Sequence, residues 1–234
     1  MIYKSYIVEN NIETIKENLV LIYGENIGLI DDLKKKIKFQ NKQSEILNFE
    51  QELIINKTGV FINELQNLSL FEQKKIYFIN QVNDKILDFI EDLDIKSNNQ
   101  KIYLFSEILE KRSKLRNFFE KKKECAIVPC YLDNEVGIKK IIIEKLKGFS
   151  GLTPQNLNLI VENCNLNRVK LNNEIEKIKT FFKEKIIDHD KLETLLNLKI
   201  NEDFSQLRDA AFSGNKIKTN KLLDDTLLDQ DKNI

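Results

Sequence analysis

The stretch "NLVLIYGENIGLIDDLKKKIKF", residues 18–39, decides how the first half of this 234-residue chain folds. It begins with a continuous apolar run, which is typical of a strand buried on both faces of a sheet. After Gly24 the apolar residues recur at helical spacing between charged positions. The stretch therefore predicts a buried strand, a break at Gly24 and an amphipathic helix.

The same pattern of strand and helix recurs along the first half of the chain. Further apolar runs predict strands at residues 45–50, 74–82, 101–107 and 125–131, with helical stretches between them. Strands that alternate with helices form parallel sheets, because each crossover helix returns the chain to the same edge. The sequence thus predicts an α/β fold, in which a parallel five-stranded sheet carries helices on both faces.

After about residue 134 the sequence predicts only helices. Thr153 before Pro154 has the form of a helix start, and Asp190 with Glu193 has the spacing of a capping box. The apolar faces of the last two helical stretches need a partner that the remaining residues do not supply. We therefore expect three parts: an α/β domain, a small all-helical domain, and the incomplete beginning of another helical domain, over residues 1–134, 135–202 and 203–234.

The composition excludes several classes of protein. A formal net charge of zero argues against a stand-alone nucleic-acid binder that is held by phosphate contacts alone. With a single His, the three cysteines are expected to be buried free thiols rather than a zinc site. The chain has neither the apolar core of a signal peptide nor an apolar run near the ~20 residues of a membrane span, so we expect a cytoplasmic protein without membrane contact.

The turn after the first strand is where a parallel α/β sheet would bind a nucleotide phosphate. It contains "GENIGLID", residues 24–31. A P-loop requires G-x-x-x-x-G-K-[ST], but Gly24 and Gly28 are one residue too close, and Leu29 and Ile30 stand in place of Lys and Ser/Thr. The sequence does not predict a nucleotide cofactor here.

Other catalytic groups are also missing. Asn80 and Gln81 follow the third strand, where an ATPase would place carboxylates for Mg²⁺. His189 lies between two aspartates at a helix start, which favours a solvated capping role. The sequence therefore predicts neither a catalytic residue nor a metal site.

Residues 110–123, "EKRSKLRNFFEKKK", allow two interpretations. Arg112, Lys114, Arg116 and the lysines after them have the charge to contact phosphates. The alternative is a solvent-exposed helix whose apolar residues, Leu115, Phe118 and Phe119, face the sheet. The alternative accounts for the same residues, and the pattern alone favours it.

A Leu-Phe pair in "QNLSLFEQKK", residues 66–75, raises a similar question. Leu70 and Phe71 lie among amide, hydroxyl and charged side chains. An apolar pair on a helix usually packs inward, but a pair in so polar a stretch also suits an exposed anchor for a partner.

Several segments together resemble a known family. They are "LIYGENIGLIDDLKKKIK", "EILNFEQE", "EKRSKLRNFFEKKK" followed by "PCYLDN", and "GLTPQNLNLIVENCNLNRVKLNNEIEKI". In this order, over about residues 1–215, the chain resembles the delta subunit of bacterial DNA polymerase III, a clamp-loader component, and most of all its alphaproteobacterial members.

The resemblance implies a AAA+-like domain, a helical lid and a helical collar, with no ATP hydrolysis by the subunit itself. It implies that the partners are the beta sliding clamp, the gamma/tau and delta prime subunits, and primer-template DNA within the assembled loader. In this family a short Q-x-x-[SL]-L-F-like segment sets a Leu-Phe pair into a pocket of the clamp. The matching residues here are Gln66, Leu68, Ser69, Leu70 and Phe71, so Leu70 and Phe71 are expected to form the clamp plug.

Two other interpretations remain. One is a degenerate P-loop ATPase, against which residues 24–30 argue. The other is a structural scaffold subunit of a AAA+ assembly. The related scaffold subunit of the loader typically carries a zinc-binding cysteine cluster and an SRC motif, whereas here Ser113 is flanked by Arg112 and Lys114.

Overall fold

In the computed structural model the chain divides into two compact units, Met1–Leu132 and Asp133–Ile234. The described residues are 1–66, 75–93, 100–196, 207–220 and 222–223. The predicted domain boundary at residue 134 lies close to this division, and the one at 202 lies outside the described residues. The predicted three-part organisation stays a prediction.

The first unit is built on a five-stranded sheet in which every pairing is parallel, in the order β2-β3-β4-β1-β5. Because β1 lies between β4 and β5, Leu21 pairs with Leu104 on one side and with Ile127 on the other. The predicted fold class is confirmed. The strands are β1 Leu19–Tyr23, β2 Glu45–Glu50, β3 Lys75–Asn80, β4 Lys101–Ser106 and β5 Cys125–Pro129.

Helices cover both faces of this sheet. Successive strand residues point to opposite sides, and since the strands carry apolar residues on both sides, both faces need to be buried. On one face, Leu19 and Leu21 pack with Ile54, Phe61 and Phe119. On the other face, Val20 and Ile22 pack with residues from α1 and α2. The helices of this unit are α1 Ser5–Asn10, α2 Ile27–Gln40, α3 Gln51–Asn56, α4 Thr58–Gln66, α5 Leu87–Asp92 and α6 Lys114–Lys121, with 3₁₀ turns at Ile12–Thr14 and Asp84–Ile86.

The second unit has four helices between Glu135 and Leu195, and residues 207–212 and 216–220 are also helical. Its apolar core includes Ile142, Ile160, Leu171, Ile175 and Leu192, all fully buried. The four helices are α7 Glu135–Lys145, α8 Pro154–Cys164, α9 Arg168–Phe181 and α10 His189–Leu195.

The predicted start of α8 is confirmed, but the predicted cap of α10 is wrong. Thr153 caps α8 by accepting a hydrogen bond from the backbone N–H of Asn156. Helix α10 begins at His189, and its cap is Asp188, whose carboxylate accepts from Lys191 N at 3.0 Å. Asp190 lies inside the first turn of the helix, because Asp188 already accepts the hydrogen bond from the Lys191 amide and so takes the capping position.

All three cysteines are free and buried, as predicted. Burial raises the pKa of the Cys125 thiol to about 11 and also raises that of Cys164. In the parts of the chain that the structure describes, no helix combines the length and the apolar character that crossing a membrane requires.

Candidate functional site

The turn between β1 and α2 lies directly against the chain that leaves β5. Gly24 has φ of +146°, and a Cβ built on it would come within 2.1 Å of the Cys130 carbonyl oxygen. The Cys130 N–H donates to the Tyr23 carbonyl at 2.7 Å, which fixes this close approach. Glycine at position 24 is therefore required both by the backbone conformation and by the lack of space.

Backbone donors in this turn are already hydrogen bonded within the protein. The amide of Gly24 donates to Glu107 O and that of Asn26 to Cys130 O, each at 3.2 Å. The Asn26 side chain accepts from Leu29 N at 3.1 Å and donates to Tyr131 O at 3.0 Å. In a P-loop such amides are free to wrap phosphates, so this turn is closed where a nucleotide site would be open.

The residues that stand in place of the P-loop Lys and Ser/Thr belong to the core. Leu29 and Ile30 are 3% and 5% exposed and pack in the apolar layer between α2 and the sheet. They therefore have neither the charge nor the position to contact a phosphate.

A cleft of about 460 Å³ lies at the carboxyl ends of β2, β3 and β4, beside α2. Asn80 and Gln81 line it, at the place where an ATPase would hold Mg²⁺, and the Asn80 amide donates to Phe49 O at 3.4 Å. Lys34 also lines the cleft. Its ammonium lies 4.5 Å from the centre of the Phe105 ring, and burial lowers its pKa. Among the described residues, no group of three or more His, Cys or acidic side chains is placed to hold a metal ion.

The three residues proposed for phosphate contact do not lie together. Arg116 is partly buried: its Nε donates to Glu120 Oε1 at 2.8 Å, and its guanidinium lies 5.4 Å from the centre of the Tyr23 ring. Arg112 and Lys114 are exposed and line an open cleft beside α6, together with Lys121 and Lys122. The structure thus separates Arg116 from Arg112 and Lys114.

The amino end of α6 already holds an anion of the protein itself. Asp84 accepts hydrogen bonds from Ser113 Oγ at 2.5 Å, from Lys114 N at 3.1 Å and from Leu115 N at 3.0 Å. Burial acts to raise the pKa of Asp84, but these hydrogen bonds outweigh it and lower the pKa. This role of Asp84, which lies beyond the end of β3 at Asn80 and begins the 3₁₀ turn Asp84–Ile86, is not visible in the local sequence.

Four of the five predicted clamp-binding residues, Leu68, Ser69, Leu70 and Phe71, lie outside the described residues, and so does the predicted plug. Gln66 is the last residue of α4. The elements on either side of the segment are fixed to the body of the unit. The Lys75 ammonium contacts Glu64 at 2.7 Å, and the Tyr77 hydroxyl donates to Glu64 O at 3.2 Å.

Helix α4 has one buried apolar face and also exposes apolar surface. Its buried face carries Phe61 and Leu65, each 2% exposed, whereas Val60 is 63% exposed. Leu53 of α3 is 47% exposed. The body that carries the predicted plug therefore offers apolar surface of its own.

Comparison with solved structures finds proteins of similar architecture. The DNA clamp loader delta protein YqeN of Bacillus subtilis superposes with a TM-score of 0.62, at 14% sequence identity, over 96% of this chain and 72% of that one. The fold of this chain is similar to that of the YqeN protein. At this identity the likeness establishes the AAA+-like fold alone.

Two further superpositions have TM-scores below 0.5. Domain III of the replication initiation protein DnaA from Thermotoga maritima gives a TM-score of 0.46, at 17% identity, over 82% of this chain and 88% of that one. The RuvB Holliday junction branch migration motor of the same organism gives 0.49, at 14% identity, over 88% and 71%. No protein-family model and no curated protein sequence matches the chain.

Proposed function

We propose that this chain is a clamp-loader delta subunit of bacterial DNA polymerase III, of the alphaproteobacterial type suggested by its sequence. In this role it binds the beta sliding clamp through Leu70 and Phe71 and helps to open and load the clamp onto primed DNA in the cytoplasm. Its other partners are the gamma/tau and delta prime subunits. The observation that carries the proposal is the delta-like fold, which extends over 96% of the chain.

The location of the Leu-Phe pair supports the clamp contact. The pair belongs to the connection between α4 and β3, whose two ends are fixed by the contacts of Glu64 with Lys75 and Tyr77. These contacts hold the described residues on either side of the segment in the first unit. Two apolar side chains that enter a pocket contribute about 3–5 kcal/mol, enough to dominate a small interface.

The closed turn after β1 supports a subunit that does not hydrolyse ATP. Its amides are bonded to Glu107 and Cys130, and Leu29 and Ile30 are buried where the phosphate-binding residues would be. This favours the delta assignment over the degenerate ATPase. Equilibrium dialysis of the full chain against Mg·ATP should detect no binding, and saturable binding would favour the ATPase instead.

The decisive experiment measures calorimetric binding of the full chain to the sliding clamp of the same organism. Leu70→Ala with Phe71→Ala should weaken binding by at least about a hundredfold, since 1.4 kcal/mol corresponds to a factor of ten. The matched control is Phe39→Ala with Ile108→Ala, which removes two side chains that are 68% and 66% exposed.

The outcomes separate the alternatives. Loss of binding in the first variant with retention in the control supports the clamp plug. A folded wild-type chain that does not bind the clamp would favour the scaffold subunit. Equal binding by the wild type and the Leu70/Phe71 variant would place the clamp contact elsewhere.

A further inference from the structure

The open cleft beside α6 concentrates positive charge in a chain whose formal net charge is zero. Residues 110–123 contain seven basic and two acidic residues. The cleft has a volume of about 650 Å³ and gathers four of these cations, Arg112, Lys114, Lys121 and Lys122, against one acidic residue, Glu91. The lining of this cleft is therefore locally positive.

The cations form a row along the helix. Lys114 and Lys121 are the first and last residues of α6. Seven residues make about two helical turns, so the two side chains leave the same face about 10.5 Å apart along the axis. In a duplex, one DNA strand rises about 3.4 Å per nucleotide along the axis, so this length corresponds to about three spacings between successive phosphates. Arg112 and Lys122, which flank α6 in sequence, line the same cleft.

Hydrogen bonds hold the loop before α6 and the first turn of this helix in place. The Asn117 amide donates to Lys111 O at 3.0 Å and to Ser113 O at 2.7 Å, which holds the loop that carries Arg112. Asp84 occupies the amides at the start of α6. An anion in the cleft must therefore be bound by side chains, which suits an extended polyanion better than a single phosphate.

The charged side chains remain available for a ligand. Arg112 pairs with Glu110 at 2.6 Å, but the two side chains are 87% and 65% exposed. So exposed a pair contributes little to stability, and a phosphate can replace the carboxylate. Lys114 and Lys121 are also exposed.

Apolar surface lines the cleft between the cations. Leu87 and Phe118 contribute it. The Phe118 ring meets that of Phe119 edge-on at 5.6 Å, and the Lys122 ammonium lies 4.5 Å from the centre of the Phe118 ring. Cations that follow a groove with an aromatic side chain between them are the pattern of surfaces that bind single-stranded nucleic acid. An acidic peptide would need the cations but not the ring.

We propose that the cleft formed by Leu87, Arg112, Lys114, Phe118, Lys121 and Lys122 binds a DNA strand through its phosphates. This inference extends the proposed function and rests on it, because the proposed function identifies the ligand that the cleft meets in the cell. It assigns to this chain a surface for the primed DNA.

The test is fluorescence anisotropy of a labelled oligothymidylate of about 20 nucleotides with the full chain. Four contacts predict a slope of roughly −2.8 for log K against log salt, that is, an affinity loss of about 50-fold between ~50 and ~200 mM salt. Arg112→Gln with Lys121→Gln should reduce the slope to roughly −1.4 and the loss to about 7-fold. The control, Lys35→Gln with Lys42→Gln, removes the same charge from exposed sites elsewhere in the first unit and should match the wild type.

Two further arms identify the ligand and separate this proposal from the clamp contact. A duplex of the same length should bind more weakly than the single strand if the Phe118 ring contributes, and polyglutamate should compete poorly. Equal competition by polyglutamate, or an unchanged slope in the Arg112/Lys121 variant, would overturn the proposal. The Leu70/Phe71 variant should bind DNA normally, whereas the Arg112/Lys121 variant should still bind the clamp.

Discussion

Asp84 and Ser113 are joined by a hydrogen bond of 2.5 Å from hydroxyl to carboxylate, across 29 positions of sequence. The same carboxylate accepts the amides of Lys114 and Leu115, while the Ser113 hydroxyl itself accepts from Arg116 N at 3.2 Å. Two residues from different loops thus cap one helix. The contact fixes the amino end of α6, where Lys114 lines the basic cleft. The same hydrogen bonds therefore stabilise the fold and position part of the proposed binding surface.

Replacing Asp84 by Ala should destabilise the first unit by about 1–2 kcal/mol, the usual effect of losing a helix cap. The measurement is urea unfolding followed by circular dichroism at about pH 7. Asp88→Ala is the control, because Asp88 is exposed on the neighbouring helix α5. Equal stability of the two variants would contradict the capping role.

The same contact predicts a pH dependence with a definite sign. Because the pKa of Asp84 is lower in the folded chain than its usual value of about 3.9, the ionised form stabilises the fold. This contribution is fully present above that usual value and is lost as the pH falls through the lower folded pKa. The difference between the wild type and Asp84→Ala should therefore be constant from about pH 7 to pH 5 and shrink below about pH 4.

Gly24 offers a second test, with a matched control inside the same unit. Gly24→Ala would place a Cβ within 2.1 Å of Cys130 O at φ of +146°, whereas Gly59→Ala in α4 would meet nothing within 4 Å. We expect the first substitution to cost at least about 3 kcal/mol, from strain and displacement of the turn. The second should stabilise by about 0.5–1 kcal/mol. Thermal unfolding measures both, and a tolerated Gly24→Ala would show that the turn is not closed as described.

The sheet was predictable from sequence because each strand is a continuous apolar run. "LVLIY" and "CAIVP" are buried along almost their full length, since helices cover both faces. The edge strand "EILNFE" was recognisable by its alternation, which its half-exposed burial explains. The expectation that residues 24–31 do not form a P-loop depends on residue identities at fixed spacing, and it stays a prediction.

What could not be predicted are the contacts between residues distant in sequence. Arg116 looked like a partner for phosphates, but Glu120 and the Tyr23 ring hold it, and Tyr23 lies 93 positions away. The role of Asp84 depends on α6 beginning beside the segment that follows β3, a consequence of strand order rather than of local pattern. The error in the cap of α10 has a local cause instead. Asp188 and Asp190 are both residue types that cap helices, and only the hydrogen bond from Lys191 N to Asp188 shows which of them does so.

The buried ion pair of the second unit provides the last prediction. Arg168 donates from Nε to Asp133 Oδ2 at 2.8 Å and from Nη2 to Oδ1 at 2.7 Å, with the two side chains 2% and 12% exposed. Asp133→Ala takes a bidentate carboxylate away from the buried guanidinium of Arg168, so it should destabilise this unit by about 3–5 kcal/mol. Glu135→Ala, which breaks the more exposed pair with Lys139, should cost less than about 1 kcal/mol.

A double-mutant cycle separates the pair from the loss of either side chain alone. Arg168→Met with Asp133→Ala removes both charges and keeps apolar volume at position 168, so it should be less destabilised than Asp133→Ala alone. Urea unfolding of the four chains gives the coupling energy. Additive effects would mean that Arg168 is stabilised chiefly by contacts other than Asp133, and that the bidentate geometry contributes little to the stability of the second unit.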